Sequence, residues 1–309
     1  MIKILGATTA ALLMAAGLIP GTAVAGPNRV ATPSAASVGG CAVSVGSVTA
    51  GGDHRGQGVF AALPPTASAS TILGGGVYPD GAVRISSSMS WGDDGVSIAF
   101  VSGYSVLGDA LYYAQYASTD GTIDRPPLKR IGGGWGSFVA LDTTFYYGTV
   151  GKRSNAFGLS NDGTLYRWTI DSKGVWRNKA SAAGFASVKS MALISSTKTY
   201  DTFLANTRGG ALYTIHIPTT APMKPIVKQV RSATWQGFET LLAQQCGQYG
   251  TLLLGIDRDT HTGYVYAVGH ATGPTTVIQS FGKVPGTFTD PVYFHWTDGN
   301  ATFKPPFGE

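Results

Sequence analysis

The chain has 309 residues, 43 of them glycine, with only 13% charged residues and a formal net charge of +5. Glutamate occurs only at Glu239 and Glu309, which leaves little material for charged helix surfaces, while Gly, Thr, Ser, Val and Tyr suit turns and pleated strands; the composition predicts an all-β fold. The basic residues are scattered, the densest groups being Lys129-Arg130, Lys152-Arg153 and residues 224–231, so no stripe neutralises several phosphates together and nucleic acid is excluded as a partner.

Residues 1–25, "MIKILGATTAALLMAAGLIPGTAVA", combine a basic Lys3, an apolar run and a small-x-small end, the pattern of a secretory signal peptide. Pro20 and Gly21 interrupt the run before the roughly 20 apolar residues that span a bilayer, so membrane insertion is not expected. Losing Lys3 with this segment lowers the net charge from +5 to +4. Residues 26–40 are small, polar and Pro-containing and are predicted to form a flexible leader. One domain, residues 41–309, is expected to follow.

Within that domain four aromatic anchors recur about every 44 to 50 residues: Trp91 in "SMSWGDDG", Trp135 in "GGGWGSF", Phe185 in "AAGFASV" and Trp235 in "SATWQGF". About 30 residues after the last three anchors comes Gly-x-Leu/Val-Tyr, ending in Tyr166, Tyr213 and Tyr266; the glycine suits a hairpin turn and the alternation behind it builds a strand. "LGDALYYAQ" and "YPDGAVRIS" are looser versions. A period of 40 to 50 in a strand-rich chain is the signature of propeller blades. The count favours five four-stranded antiparallel blades, with six possible if "FGKVPGTFTDPVYFHWTDGNATF", residues 281–303, makes a blade rather than closing strands. Cys41 falls in the first repeat and Cys246 in the fifth. In an exported chain the pair permits a disulfide that closes a loop of about 205 residues, worth about 5 kcal/mol on the chain-entropy model. Ring closure favours that bond over two separate buried thiols.

"RIGGGWGSFVAL" followed by "DGTLYRWTI" resembles the repeats of tachylectin-type β-propeller lectins, the likeness extending over residues 86–280. The resemblance implies a five-bladed ring that binds N-acetylated amino sugars at several equivalent sites without catalysis or cofactor. Sugars offer an apolar face to aromatic rings and hydroxyls to fixed donors and acceptors. The candidate ligand-binding residues are therefore Trp91, Trp135, Phe185 and Trp235, with Asp142, Asn161 and Asp162 as polar partners and repetition adding avidity. Blade-to-blade packing is the competing role for every anchor and for the three tyrosines.

Catalytic and metal motifs are weak. A glycosidase needs two carboxylates with divergent pKa values, and the available set is Asp93, Asp94, Asp142, Asp162 and Asp201. "DRDTHTG", residues 257–263, departs from a calcium loop at its fifth and sixth positions, the five histidines lack ligand spacing, and "GTVGKRS" misses the Ser or Thr of a phosphate loop. No metal or cofactor is expected. The reading is a secreted, extracellular, monomeric, multivalent glycan-binding propeller, with a protein-binding scaffold and an Asp-based hydrolase or lyase as alternatives.

Overall fold

The computed structural model describes residues 40–93, 98–120, 122–124, 128–148, 151–299 and 305–309. The predicted signal peptide 1–25 and the leader 26–40, apart from residue 40, lie outside the described residues, as does Asp94. All regular elements among the described residues are strands. The first ten are β1 (Ala42–Val48), β2 (His54–Phe60), β3 (Thr66–Ala67), β4 (Thr71–Gly74), β5 (Val83–Ser86), β6 (Met89–Asp93), β7 (Ile98–Leu107), β8 (Ala110–Thr119), β9 (Thr122–Asp124) and β10 (Lys129–Gly133). Then come β11 (Phe138–Gly148), β12 (Gly151–Ser160), β13 (Leu165–Ile170), β14 (Trp176–Ala182), β15 (Val188–Ser196), β16 (Tyr200–Thr207), β17 (Leu212–Pro218) and β18 (Ile226–Arg231). The last five are β19 (Thr240–Cys246), β20 (Gly250–Asp257), β21 (Thr262–Val268), β22 (Ile278–Lys283) and β23 (Val292–Asp298).

Three four-stranded antiparallel sheets follow one another along the chain: β11 to β14, β15 to β18 and β19 to β22. In each, the second strand is buried on both faces and the fourth is largely exposed, as β16 and β18 illustrate. A sheet covered on both sides needs no polar alternation in its middle strands, which is why "NAFGLS" in β12 and "TFLANT" in β16 read as continuous apolar and small-residue runs.

The remaining strands depart from the expected pattern of separate four-stranded antiparallel sheets. They make one eleven-stranded mixed sheet, in the order β10-β8-β7-β6-β23-β1-β2-β3 with β4, β5 and β9 at its sides. The cause is β23, which pairs on both edges: antiparallel to β1, with Val45 opposite His295, and parallel to β6, with Trp296 opposite Met89. Residues 292–298, from the tail that raised the possibility of a sixth blade, thus join β1 and form no sheet of their own.

Buried side chains gather into five layers, four of them between successive sheets and the fifth between the two halves of the eleven-stranded sheet. Leu111 and Tyr104 meet Trp135 and Phe138; Phe157 and Leu165 meet Phe203 and Ile215; Leu204 and Leu212 meet Trp235 and Leu253; Leu252 and Val265 meet Val43 and Val59; and Val48 and Trp296 meet Val101 and Tyr116. Cys41 and Cys246 form a disulfide with a Cα–Cα distance of 5.5 Å, tying the start of β1 to the end of β19.

Candidate functional site

One backbone hydrogen bond recurs at the anchors. In each layer an aromatic residue donates its backbone N–H to a carbonyl in the hairpin turn of the preceding repeat: Tyr78 to Gly52 (3.0 Å), Trp135 to Asp109 (3.0 Å), Phe185 to Gly163 (2.9 Å), Trp235 to Gly210 (2.9 Å) and Phe288 to His261 (3.0 Å). All five side chains are buried. Gly163 shows why the turn needs glycine: its φ is +83°, and a Cβ there would strike the backbone of Ala186, the residue after the next anchor.

Tyr78 and Phe288 were not among the expected anchors, and Trp91 does not belong to the set. Trp91 lies half-buried on β6, and its carbonyl accepts the Gly299 N–H at 2.6 Å. The signal for Tyr78 was present in "GGGVY", which parallels "GGGW" once tyrosine is allowed at the anchor. The same docking register makes Tyr264, rather than Tyr266, the counterpart of Tyr166 and Tyr213.

The two glycines that flank Trp135 share one partner. Asp109 accepts the N–H groups of Gly134 (3.1 Å) and Gly136 (2.5 Å), and these two bonds hold its carboxyl below the usual carboxylate range. Both amides are engaged by the protein itself.

The other candidate residues separate in space. Asp142 stands on the inner strand β11, accepting bonds from the Ser88 hydroxyl (2.7 Å) and the Ser88 and Thr143 amides; burial pushes its carboxyl up, partly offset by Ser88. Asn161 and Asp162 are exposed in the β12–β13 turn, where Asp162 accepts the Thr164 N–H at 2.8 Å and is lowered by it. Trp135, Phe185 and Trp235 sit in three different layers. Asp201 is buried against Arg153, and Asp93 is exposed at the end of β6. Among the described residues no group of three His, Cys, Asp or Glu side chains gathers in metal-binding geometry.

What the fold does bring together is a cluster of rings between β7–β8 and β13–β14. Trp168 lies 5.4 Å from Trp135, 5.4 Å from Trp176 and 5.6 Å from Tyr166, stacked on the last at 22°. Tyr104 joins them, 5.1 Å from Trp176 and 5.0 Å from Tyr113, and burial pushes its hydroxyl pKa up. Trp135 is buried, whereas Tyr113, Tyr166, Trp168 and Trp176 are half-exposed. In the next two repeats the positions of Trp168 hold Ile215 and Tyr266, and the strands that begin at Trp176 in this repeat begin at Ile226 and Ile278. Tyr104, Tyr113 and Ile170 also border a cavity of about 540 Å³ that runs along the innermost strands. Its wall includes Ser88 and Asp142, the ion pair of Lys189 with Glu239, and His295, which bonds Gln244 at 2.7 Å.

No family model and no curated protein matches the chain. Among solved structures, the BP39L lectin from Burkholderia pseudomallei aligns at 13% identity with a TM-score of 0.41, over 78% of this chain and 66% of that one, just under two thirds of its length. A triple arginine mutant of AofleA from Arthrobotrys oligospora aligns at 10% identity and 0.42, over 80% and 76%. The Dos1 propeller aligns at 8% and 0.35, over 78% and 69%. At these values none of the three carries an argument about this chain.

Proposed function

We propose that the chain is a secreted, monomeric, five-bladed β-propeller that binds carbohydrate without catalysis. The five side-chain layers support the blade number, because the layer between β19–β22 and β1–β2 returns the series to its start. In this reading the blades have β23, β6, β11, β15 and β19 as inner strands, and β23 supplies the inner strand of the blade that β1 begins.

The observation that carries the binding reading is the half-exposed cleft of Tyr113, Tyr166, Trp168 and Trp176 beside a polar cavity. Tyr113 borders the cavity whose wall carries Ser88 and Asp142, and partly exposed rings leading to such groups suit a ligand with one apolar face and an edge of hydroxyls. N-acetylated amino sugars are the ligand class that the repeat resemblance implies. Because Trp168 and Trp176 have no tryptophan counterparts in the next two repeats, the reading is of one principal site rather than equivalent sites around the ring. The scatter of Asp93, Asp142, Asp162 and Asp201 over different environments favours binding over hydrolysis.

A glycan array with the folded chain and its Trp168→Ala variant tests this. Binding to amino-sugar glycans that falls at least about tenfold in the variant, about 1.4 kcal/mol, is expected. Silence across the array, or equal binding by a variant with unchanged circular dichroism, overturns the assignment.

A further inference from the structure

The aromatic cleft contains a cation that stacking alone does not require. Lys179, on the outer strand β14, holds its Nζ 4.5 Å from the Tyr166 ring centre and 5.8 Å from that of Trp168. It is brought there by a break in strand register: pairing steps from Arg167–Ala180 to Thr169–Arg177, so residues 178 and 179 bulge opposite Trp168. Asn178 takes a φ of +52°, uncommon for a residue other than glycine, and its side chain donates to the Thr169 hydroxyl at 3.0 Å. Bulges of this kind re-aim side chains and cluster beside functional sites.

Charge pairing around the cleft is selective. Arg177 is engaged by Asp171 at 2.7 Å, and Asp171 also accepts the Lys173 and Val175 amides. Lys179, which is exposed, has no carboxylate partner among the described residues. Its ammonium rests on the ring faces that a sugar would cover. A neutral ring stacking over Tyr166 and Trp168 displaces that ammonium and offers it only hydroxyl oxygens, whereas an anionic one gives it a counter-charge and a charge-assisted hydrogen bond.

We propose that the ligand of this cleft is an anionic sugar, its carboxylate or sulfate paired with Lys179; this rests on the carbohydrate reading above. The test is calorimetric titration of the full chain with two matched pairs: N-acetylglucosamine against its 6-sulfate, and glucose against glucuronic acid. In the unsubstituted protein at least one anionic member is expected to bind about tenfold tighter than its neutral partner, and which pair shows the gain separates sulfate from carboxylate recognition. Lys179→Met is expected to erase the preference, Lys179→Arg to keep it, and raising salt from about 50 to about 500 mM to shrink it. Because Lys179 is exposed, both variants are expected to keep the parent melting temperature. Neutral sugars that bind as tightly as anionic ones, or a preference that survives in Lys179→Met, overturn the proposal while leaving carbohydrate binding in place. No binding by any of the four sugars overturns both.

Discussion

His54 gives the sharpest stability prediction. Measured two residues from the docking carbonyl, it occupies the position that Leu111, Leu165 and Leu212 hold in the next three repeats, and it is fully buried. Its Nδ1 shares a hydrogen with the Tyr116 hydroxyl at 2.7 Å, while Nε2 is buried with no partner. Burial lowers its pKa from 6.5 to about 3, a nearby Asp53 opposing weakly. As pH falls below 6.5 the unfolded chain takes up a proton that the folded chain refuses until about 3. This stability is therefore complete above pH 6.5 and is lost on acidification through that window, at about 1.4 kcal/mol per pH unit. Between pH 7 and pH 4.5 the loss is about 2.7 kcal/mol, or about 5 °C in melting temperature for a domain of this size. His54→Leu removes the proton site and fills a place that leucine already suits in the sister repeats. At pH 7 the variant is expected to be less stable by about 1 kcal/mol, for the loss of the Tyr116 bond, yet to lose about 2.7 kcal/mol less than the parent on acidification. Urea unfolding of both proteins at the two pH values measures this. Parallel losses within about 0.5 kcal/mol refute the assignment of a neutral buried imidazole.

Further outcomes follow from the same geometry. Cys41→Ser combined with Cys246→Ser opens a loop of 205 residues and is expected to cost about 5 kcal/mol, seen as a fall of about 9 °C in calorimetric melting. Gly163→Ala is expected to destabilise by about 3 kcal/mol because both its φ and its space forbid a side chain, whereas Gly174→Ala, with φ +73° but open surroundings, costs about 1 kcal/mol; chemical denaturation ranks the two. Asp201→Asn leaves the half-buried Arg153 without its counter-charge and is expected to cost about 3 kcal/mol in the same assay. Trp135→Ala is expected to cost about 3 to 5 kcal/mol by leaving a void in the layer, with Trp168→Ala nearer 1 kcal/mol, so thermal melts separate a packing ring from a cleft ring.

Much of the fold was legible in the sequence because the repeats obey one docking rule. The hairpin glycines, the anchors Trp135, Phe185 and Trp235, and the Leu-Tyr pairs all mark places where a turn meets the next sheet, and backbone geometry limits the residues that fit. Tyr78 escaped because a smaller aromatic ring docks in the same way behind similar glycines. Trp91 misled because its flanking "SWGDDG" resembles an anchor loop, while its position is inside a strand. The mixed sheet was hidden for a different reason: nothing in "VYFHWTD" announces that both of its edges are paired. For the cleft, Trp168 was visible only as part of a hairpin. Its partner Tyr104 lies on a strand far away in sequence, and the bulge that delivers Lys179 depends on Asn178, which has no pattern of its own.

The pairing of β1 with β23 sets an order of assembly. During synthesis β1 emerges long before its edge partner β23, so β1 carries an open hydrogen-bonding edge until residues 292–298 arrive. The three sheets between 138 and 283 are local in sequence and free to form in the meantime. The arrival of β23 then completes two edges at once, after which the Cys41–Cys246 bond locks a register already chosen. A chain cut and rejoined in the loop between β14 and β15, its old ends linked, keeps every one of these contacts while changing which strand must wait.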